Sequence, residues 1–199
     1  IWAINKKNKS SGPDGLPTRL YKIQQDLLSN RLLKLFNEVL DEAKIPQSWN
    51  EATITIIPKE KNDQTNIGNY RPISLLNVDY KIFITIIAGR LKKILNKYIH
   101  KDQNGFLPHR HFKNNVRTIL DIIEYYGEHN GDQVALLFLD AKMAFDNVKW
   151  SYVLQQIKYM DFGQNFLNVV SAVYNKQEAR ILINGHTTNK FEIQKGTRQ

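Results

Sequence analysis

Cysteine is absent from the 199 residues, which removes disulfides, thiolate zinc sites and cysteine nucleophiles together. Long apolar runs are missing too. The longest, Ile82 to Ala88 interrupted by Thr85, falls far short of the roughly 20 residues a membrane-spanning helix needs. Ile1-Trp2 is followed at once by Lys6, Lys7 and Lys9, which is not the pattern of a signal peptide. No internal repeat, low-complexity tract, Gly-Lys-Ser/Thr phosphate loop or dinucleotide fingerprint occurs. Of the five histidines, His109 and His111 flank Arg110 in a loop, and no third ligand stands at zinc spacing.

What is present is ordinary in hydrophobic content (42%) and unusual in charge. Lys and Arg number 28 against 19 Asp and Glu, a net charge of +9. That excess favours a polyanionic partner, either nucleic acid or an acidic membrane surface. The length suits one good-sized core or two small lobes sharing one.

The chain opens with a basic, turn-rich loop, Asn8 to Gly15, where Pro13 and two glycines forbid a regular element. Apolar stripes at Leu20, Ile23, Leu27, Leu28 and at Leu32, Leu35, Phe36, Val39, Leu40 predict two helices, ended by Pro46 and anchored by Trp49. The β-branched run Thr53 to Ile57 predicts a strand stopped by Pro58. A helix is expected from about Val78 to Tyr98, with Phe83, Ile87, Leu91, Ile94, Leu95 and Tyr98 toward a core. Arg90, Lys92, Lys93 and Lys97 then face outward. Gln103 to Phe106 reads as a turn and Asn114 to Tyr126 as a helix. After Gly131-Asp132, the apolar run Val134 to Leu139 predicts a strand buried on both sides and ending on Asp140. Helices around 150–160 and 166–174 precede a hairpin, 179–183 with 191–193, whose Asn184-Gly185 is expected to start a longer loop.

Asp140 is the sharpest chemical candidate. A carboxylate at the end of a buried strand suits a divalent metal, because Mg²⁺ takes one or two carboxylates plus substrate phosphate oxygens. It also suits a helix cap ahead of Ala141 to Phe145, and on one carboxylate alone the cap is the stronger reading. Lys59 and Arg71, near the expected strand-loop unit, have the chemistry to hold phosphates, as a point charge and as a bidentate fork. The residues by themselves lead to a basic α/β protein that handles nucleotides or nucleic acid.

In order along the chain, Ser11-Gly12-Pro13-Asp14-Gly15, Ile56-Ile57-Pro58-Lys59, Asn69-Tyr70-Arg71-Pro72-Ile73-Ser74-Leu75 and Asp102-Gln103-Asn104-Gly105-Phe106 are followed by three more motifs. These are Leu139-Asp140-Ala141-Lys142-Met143-Ala144-Phe145-Asp146, Ile183-Asn184-Gly185 and Lys195-Gly196-Thr197-Arg198-Gln199. Their series resembles the reverse transcriptase of LINE-type, non-long-terminal-repeat retrotransposons. The resemblance implies an α+β right-hand polymerase, with fingers and fingers-palm helices in residues 1–132. The start of the palm and a returning fingers hairpin would occupy 133–199. It implies that Asp140 is the first catalytic, metal-binding aspartate, with the Ala141 carbonyl as a further Mg²⁺ ligand. Lys59 and Arg71 would meet the nucleotide's phosphates, and Phe145, beside Ala144, would lie under the sugar and exclude a 2′-hydroxyl. Gln199 would flank the nucleotide pocket, and Gln103, Gly105, Phe106 and Arg110 would lie on the template side.

The implied partners are an RNA template, a DNA primer and deoxynucleoside triphosphates, with no membrane and no sign of an oligomer. The implied reaction is two-metal nucleotidyl transfer, and the implied location is nuclear. Met143 departs from the family, which usually has lysine there. After the Lys-Gly-Thr-Arg-Gln segment the family continues to a Phe/Tyr-Ala-Asp-Asp hairpin carrying the other catalytic aspartates, which these residues do not include. With Ile1 at one end and Gln199 at the other, the expectation is a chain cut at both ends, inactive by itself. The alternative is a non-catalytic RNA-binding module derived from the same fold. A nuclease or nucleotidyltransferase on an unrelated sheet ranks third.

Overall fold

A computed structural model describes residues 10–60, 63–129 and 133–198. Among them are seven α-helices and a five-stranded sheet, a mixed α+β architecture. The chain forms two compact units, Ile1–Ile84 with Met143–Gln199, and Thr85–Lys142. None of the described helices is long and apolar enough to cross a membrane.

In the first unit, helices α1 (Thr18–Ile23) and α2 (Gln25–Glu42) follow the turn-rich loop. The heptad-like stripe of α2 buries Leu32, Phe36 and Val39. Ala43, in left-handed conformation at φ 53°, ends that helix, its N–H donating to Val39 O. A 3₁₀ turn, Gln47–Trp49, then delivers Trp49 into the core at 1% exposure. There it meets Phe36, Tyr80 and Phe83 with ring centroids 5.1 to 6.2 Å apart, within the range of favourable aromatic pairs.

Strand β1 (Glu51–Pro58) pairs antiparallel with β2 (Tyr70–Leu75) and parallel with β3 (Glu178–Ile183). Pro72 is tolerated because β2 lies at the sheet's edge, where a missing N–H breaks no ladder. The alternation of β1 puts Ala52, Ile54 and Ile56 on one face with Ser74 and Pro72, while Thr53, Thr55 and Ile57 share the other with Arg71 and Ile73. Ala52 and its partner Ala179 are both buried. Helices α6 (Trp150–Tyr159) and α7 (Gln164–Val173) follow a short α5 (Ala144–Asn147), and α7 buries Val169 and Val173. Past β3, Asn184 and Gly185 both take positive φ, 51° and 80°, and close a two-residue turn to β4 (His186–Thr187). The expected longer loop is therefore a tight hairpin, of the kind that Asn-Gly favours most. Beyond it β5 (Phe191–Glu192) returns to pair with Glu178 and Ala179.

Helix α3 (Val78–Leu95) contributes its first turns, with Val78, Tyr80, Ile82 and Phe83 buried, to the first unit. It stops at Leu95 rather than Tyr98, and Ile94 and Tyr98 are exposed instead of core-facing. The periodicity that runs through the whole segment is used for burial only in its first half.

The second unit continues with α4 (Phe112–Glu128), which buries no residue. The run Val134 to Leu139 differs most from expectation. Residues 133–141 form no regular element, and Leu137, Phe138 and Leu139 are 81%, 74% and 85% exposed. A strand exists only through a neighbour's hydrogen bonds, and this run pairs with none of β1–β5. Apolar character alone could not supply the partner. Gly131-Asp132, expected to introduce it, lie outside the described residues.

Candidate functional site

Four groups of sequence-derived residues fall at different places. The first is the open end of the β1–β2 hairpin. Register pairs Ile57 with Arg71, and Lys59 N–H donates to Asn69 O at 2.8 Å, so the ladder continues one step beyond the strands. By alternation Lys59 and Arg71 leave the same face, Arg71 exposed and Lys59 Nζ donating to Gly68 O at 2.9 Å. The connecting loop is held by its own side chains. Asp63 accepts from Thr65 N–H and hydroxyl, which holds its carboxyl below the usual range. Asn66 Oδ1 accepts from Gly68 N, and Tyr70 OH donates to Gln64 O. Two cations thus stand at the end of a stiff ribbon.

The second group joins motifs some fifty residues apart. Met143 takes a left-handed conformation, φ 52°, and opens α5. Phe145 O accepts from Thr197 N–H at 3.0 Å, and Val148 O from Gly196 N–H at 2.8 Å. Trp150 Nε1 donates to Gly196 O at 2.7 Å, and Lys195 Nζ to Asn147 Oδ1 at 2.9 Å. Gly196 is required twice over. Its φ is 85°, and a Cβ there would lie 2.8 Å from Asp146 O. The result is a clasp of residues 143–150 with 195–198. Beside it lies a cleft of about 850 Å³, walled by Ile54, Pro72 and Ser74 of the sheet, by Trp150, and by the segment 191–198. Its walls include neither Lys59 nor Arg71, which leave the opposite face of the sheet. Gln199 lies outside the described residues.

Arg198 was not singled out from the sequence, although it stands within a quoted motif. Its Nη1 donates to Trp49 O and Asn50 O, each at 3.1 Å, and its guanidinium lies 5.0 Å from the centre of the Tyr80 ring. It ties the clasp to the aromatic core. Beneath it, Trp49 Nε1 donates to Asp79 Oδ2 at 2.8 Å, and burial pushes the Asp79 carboxyl above its ordinary value. Burial, with Asp79 and Asp14 nearby, pushes the Tyr21 phenol up to about 12. The Ser11 to Gly15 loop sits on the same hub. Asp14 N–H donates to Asn77 Oδ1 at 3.2 Å, and a side chain at Gly12 would collide with the Asn77 backbone.

The third group is Asp140 and Ala141, both exposed and outside any regular element. A carboxylate and a carbonyl are donors of the hard kind that Mg²⁺ takes, fitting it in chemistry but supplying two donor groups only. Among the described residues no group of three or more His, Cys, Asp or Glu is placed to hold a metal.

The fourth is the turn between α3 and α4. Gln103 Nε2 donates to Gly105 O at 3.4 Å, and Asn104 Nδ2 donates to Asn115 Oδ1. Phe106, 85% exposed, has φ 64°. Arg110 turns its guanidinium onto backbone carbonyls of Asn96, Ile99, His100 and Gln103.

Residues 57–199 match the reverse transcriptase (RNA-dependent DNA polymerase) family. An uncharacterized 149 kDa protein of transposon TX1 from Xenopus laevis is 33% identical over 96% of this chain and 14% of its own length. The RNA-directed DNA polymerase from mobile element jockey of Drosophila melanogaster is 30% identical over 96% of this chain and 21% of its own. A retrovirus-related Pol polyprotein from type-1 retrotransposable element R2 of Popillia japonica is 25% identical over 97% of this chain and 26% of its own. The chain thus spans roughly a seventh to a quarter of the lengths of these relatives. With the match covering most of its residues, the chain belongs to the reverse transcriptase family, in the branch of the LINE-type, non-long-terminal-repeat retrotransposons.

Proposed function

We propose that this chain forms the fingers and the beginning of the palm of a polymerase that copies an RNA template into DNA. The functional division falls at 132/133, and the reaction is two-metal nucleotidyl transfer. The observation that carries this reading is the clasp, in which Phe145 O and Thr197 N–H join two motifs distant in sequence. Such joining gives Phe145 and Ala144 a fixed backbone from which a flat side chain can meet the sugar and crowd a 2′-hydroxyl. Gln199, which lies outside the described residues, is assigned to the nucleotide on the family resemblance alone. Lys59 and Arg71 take the triphosphate, the arginine through two parallel N–H donors and the lysine as a point charge. Gln103, Gly105, Phe106 and Arg110 serve the template side. Asp140 and the Ala141 carbonyl would hold Mg²⁺, which would supply positive charge to neutralise the transferred phosphoryl group. DNA primer and deoxynucleoside triphosphates complete the substrates.

Photocrosslinking of radiolabelled dTTP to the chain, in the presence of an RNA template with annealed DNA primer, tests the nucleotide assignment. Labelling is expected to fall several-fold in Arg71→Ala and in Lys59→Ala. Phe145→Ala should raise labelling by UTP relative to dTTP. RNA binding with no nucleotide labelling, or labelling indifferent to all three substitutions, would leave a non-catalytic RNA-binding module as the better account.

A further inference from the structure

Arg110 bonds unlike a residue that waits for a phosphate. A guanidinium has five N–H donors in one plane. Nη1 donates to His100 O and to Gln103 O (2.9 Å), and Nη2 to Ile99 O (3.0 Å) and Asn96 O (3.3 Å). Four of the five donors are therefore committed to backbone oxygens, leaving Nε–H for any other acceptor. A bidentate grip on phosphate needs two donors side by side.

The carbonyls it meets lie in the irregular segment just past the end of a helix. Helix α3 ends at Leu95, and Tyr98 and Ile99 N–H both turn back to Leu95 O. Past that point Asn96 and Ile99 have no further helical turn to satisfy their oxygens, and the helix's negative end favours a cation there. Arg110 answers both needs from up to fourteen residues further on. Asn96 Nδ2 closes the same ring by donating to Pro108 O at 3.1 Å. Inside this ring stand Gln103, Gly105 and Phe106, with Phe106 and His109 at φ 64° and 62°. Left-handed conformations at bulky residues persist only where the surroundings fix them.

We infer that Arg110 is a positioning residue, which fixes the 103–106 turn by gathering four carbonyls and acts on template through that turn instead of holding a phosphate. The template half of this rests on the function proposed above; the clamp itself rests on geometry alone. It follows that the fork matters more than the charge, so lysine, which keeps the charge without the fork, is a poor substitute.

The test uses the 199-residue chain with Arg110→Lys and Arg110→Ala, each checked for unchanged helical circular dichroism. Amide hydrogen exchange should quicken in 98–106 for both variants. Single-stranded RNA binding, titrated from about 50 to about 200 mM salt, should weaken several-fold in both, with the slope of log affinity against log salt unchanged. Wild-type exchange in both variants would overturn the clamp. Retained affinity in Arg110→Lys, with a slope shallower by about 0.7 in Arg110→Ala, would show a direct phosphate contact and overturn the proposal. If the unaltered chain binds no RNA while exchange still responds to Arg110→Lys, the clamp stands and the template reading falls.

Discussion

At Asp79 two effects pull the carboxyl in opposite directions. Burial raises its pKa from the ordinary 3.8, and the hydrogen bonds from Trp49 Nε1 and Tyr80 N–H lower it, with burial the larger. The folded state therefore binds this proton more tightly than the unfolded chain. Its stabilising contribution is present at low pH and is lost as pH rises from 3.8 through the folded-state value. Asp79→Asn removes the titration and one of the two acceptors, the latter a pH-independent cost of about 1 kcal/mol. Urea midpoints of the two proteins should show wild type losing ground to the variant as pH rises through that window, and a constant gap above it. A gap that ignores pH throughout would mean that Asp79 is as well solvated folded as unfolded.

The clasp poses the corresponding question for elements. Gly196 lies where φ is 85° and where a Cβ would press on the Asp146 backbone, so Gly196→Ala combines left-handed strain with a collision. A cost of about 1–3 kcal/mol is expected from the strained conformation, read as a lower denaturant midpoint with unchanged slope. A neutral outcome would show that 195–198 lies against α5 without constraint. How much of this was legible depends on where the information sits. Strand β1 announced itself because its β-branched run is local, but Pro58 pairs with Tyr70 inside the strand instead of stopping it, and the register with β2 is not a local property. The Asn184-Gly185 turn was visible as a dipeptide and misjudged only in loop length. The run 134–139 misled because burial is a property of neighbours, and a sequence window carries none. The site was legible as motif order, whereas Arg198 was passed over because its partners, Trp49, Asn50 and Tyr80, lie more than a hundred residues away.

For the molecule as a whole, the charge and the carboxylates point to different conclusions about activity. A net charge of +9 suffices to draw a polyanion, since phosphate contacts supply most non-specific binding. The two-metal transfer proposed above asks for more, because each metal on the attacking and leaving oxygens would need ligands held in place. Here Asp140 and Ala141 are exposed and lie in a stretch with no ladder to fix it. Metal ligands so placed would give up the preorganisation on which metal-assisted transfer depends. The 199 residues are therefore expected to bind an RNA template with annealed primer and to extend that primer by no detectable nucleotide in Mg²⁺. Extension that vanishes in Asp140→Asn would refute this, since the stretch would then hold metal and substrate unaided. Extension indifferent to that substitution would point to a contaminating polymerase, and purification of the Asp140→Asn protein in parallel separates the two.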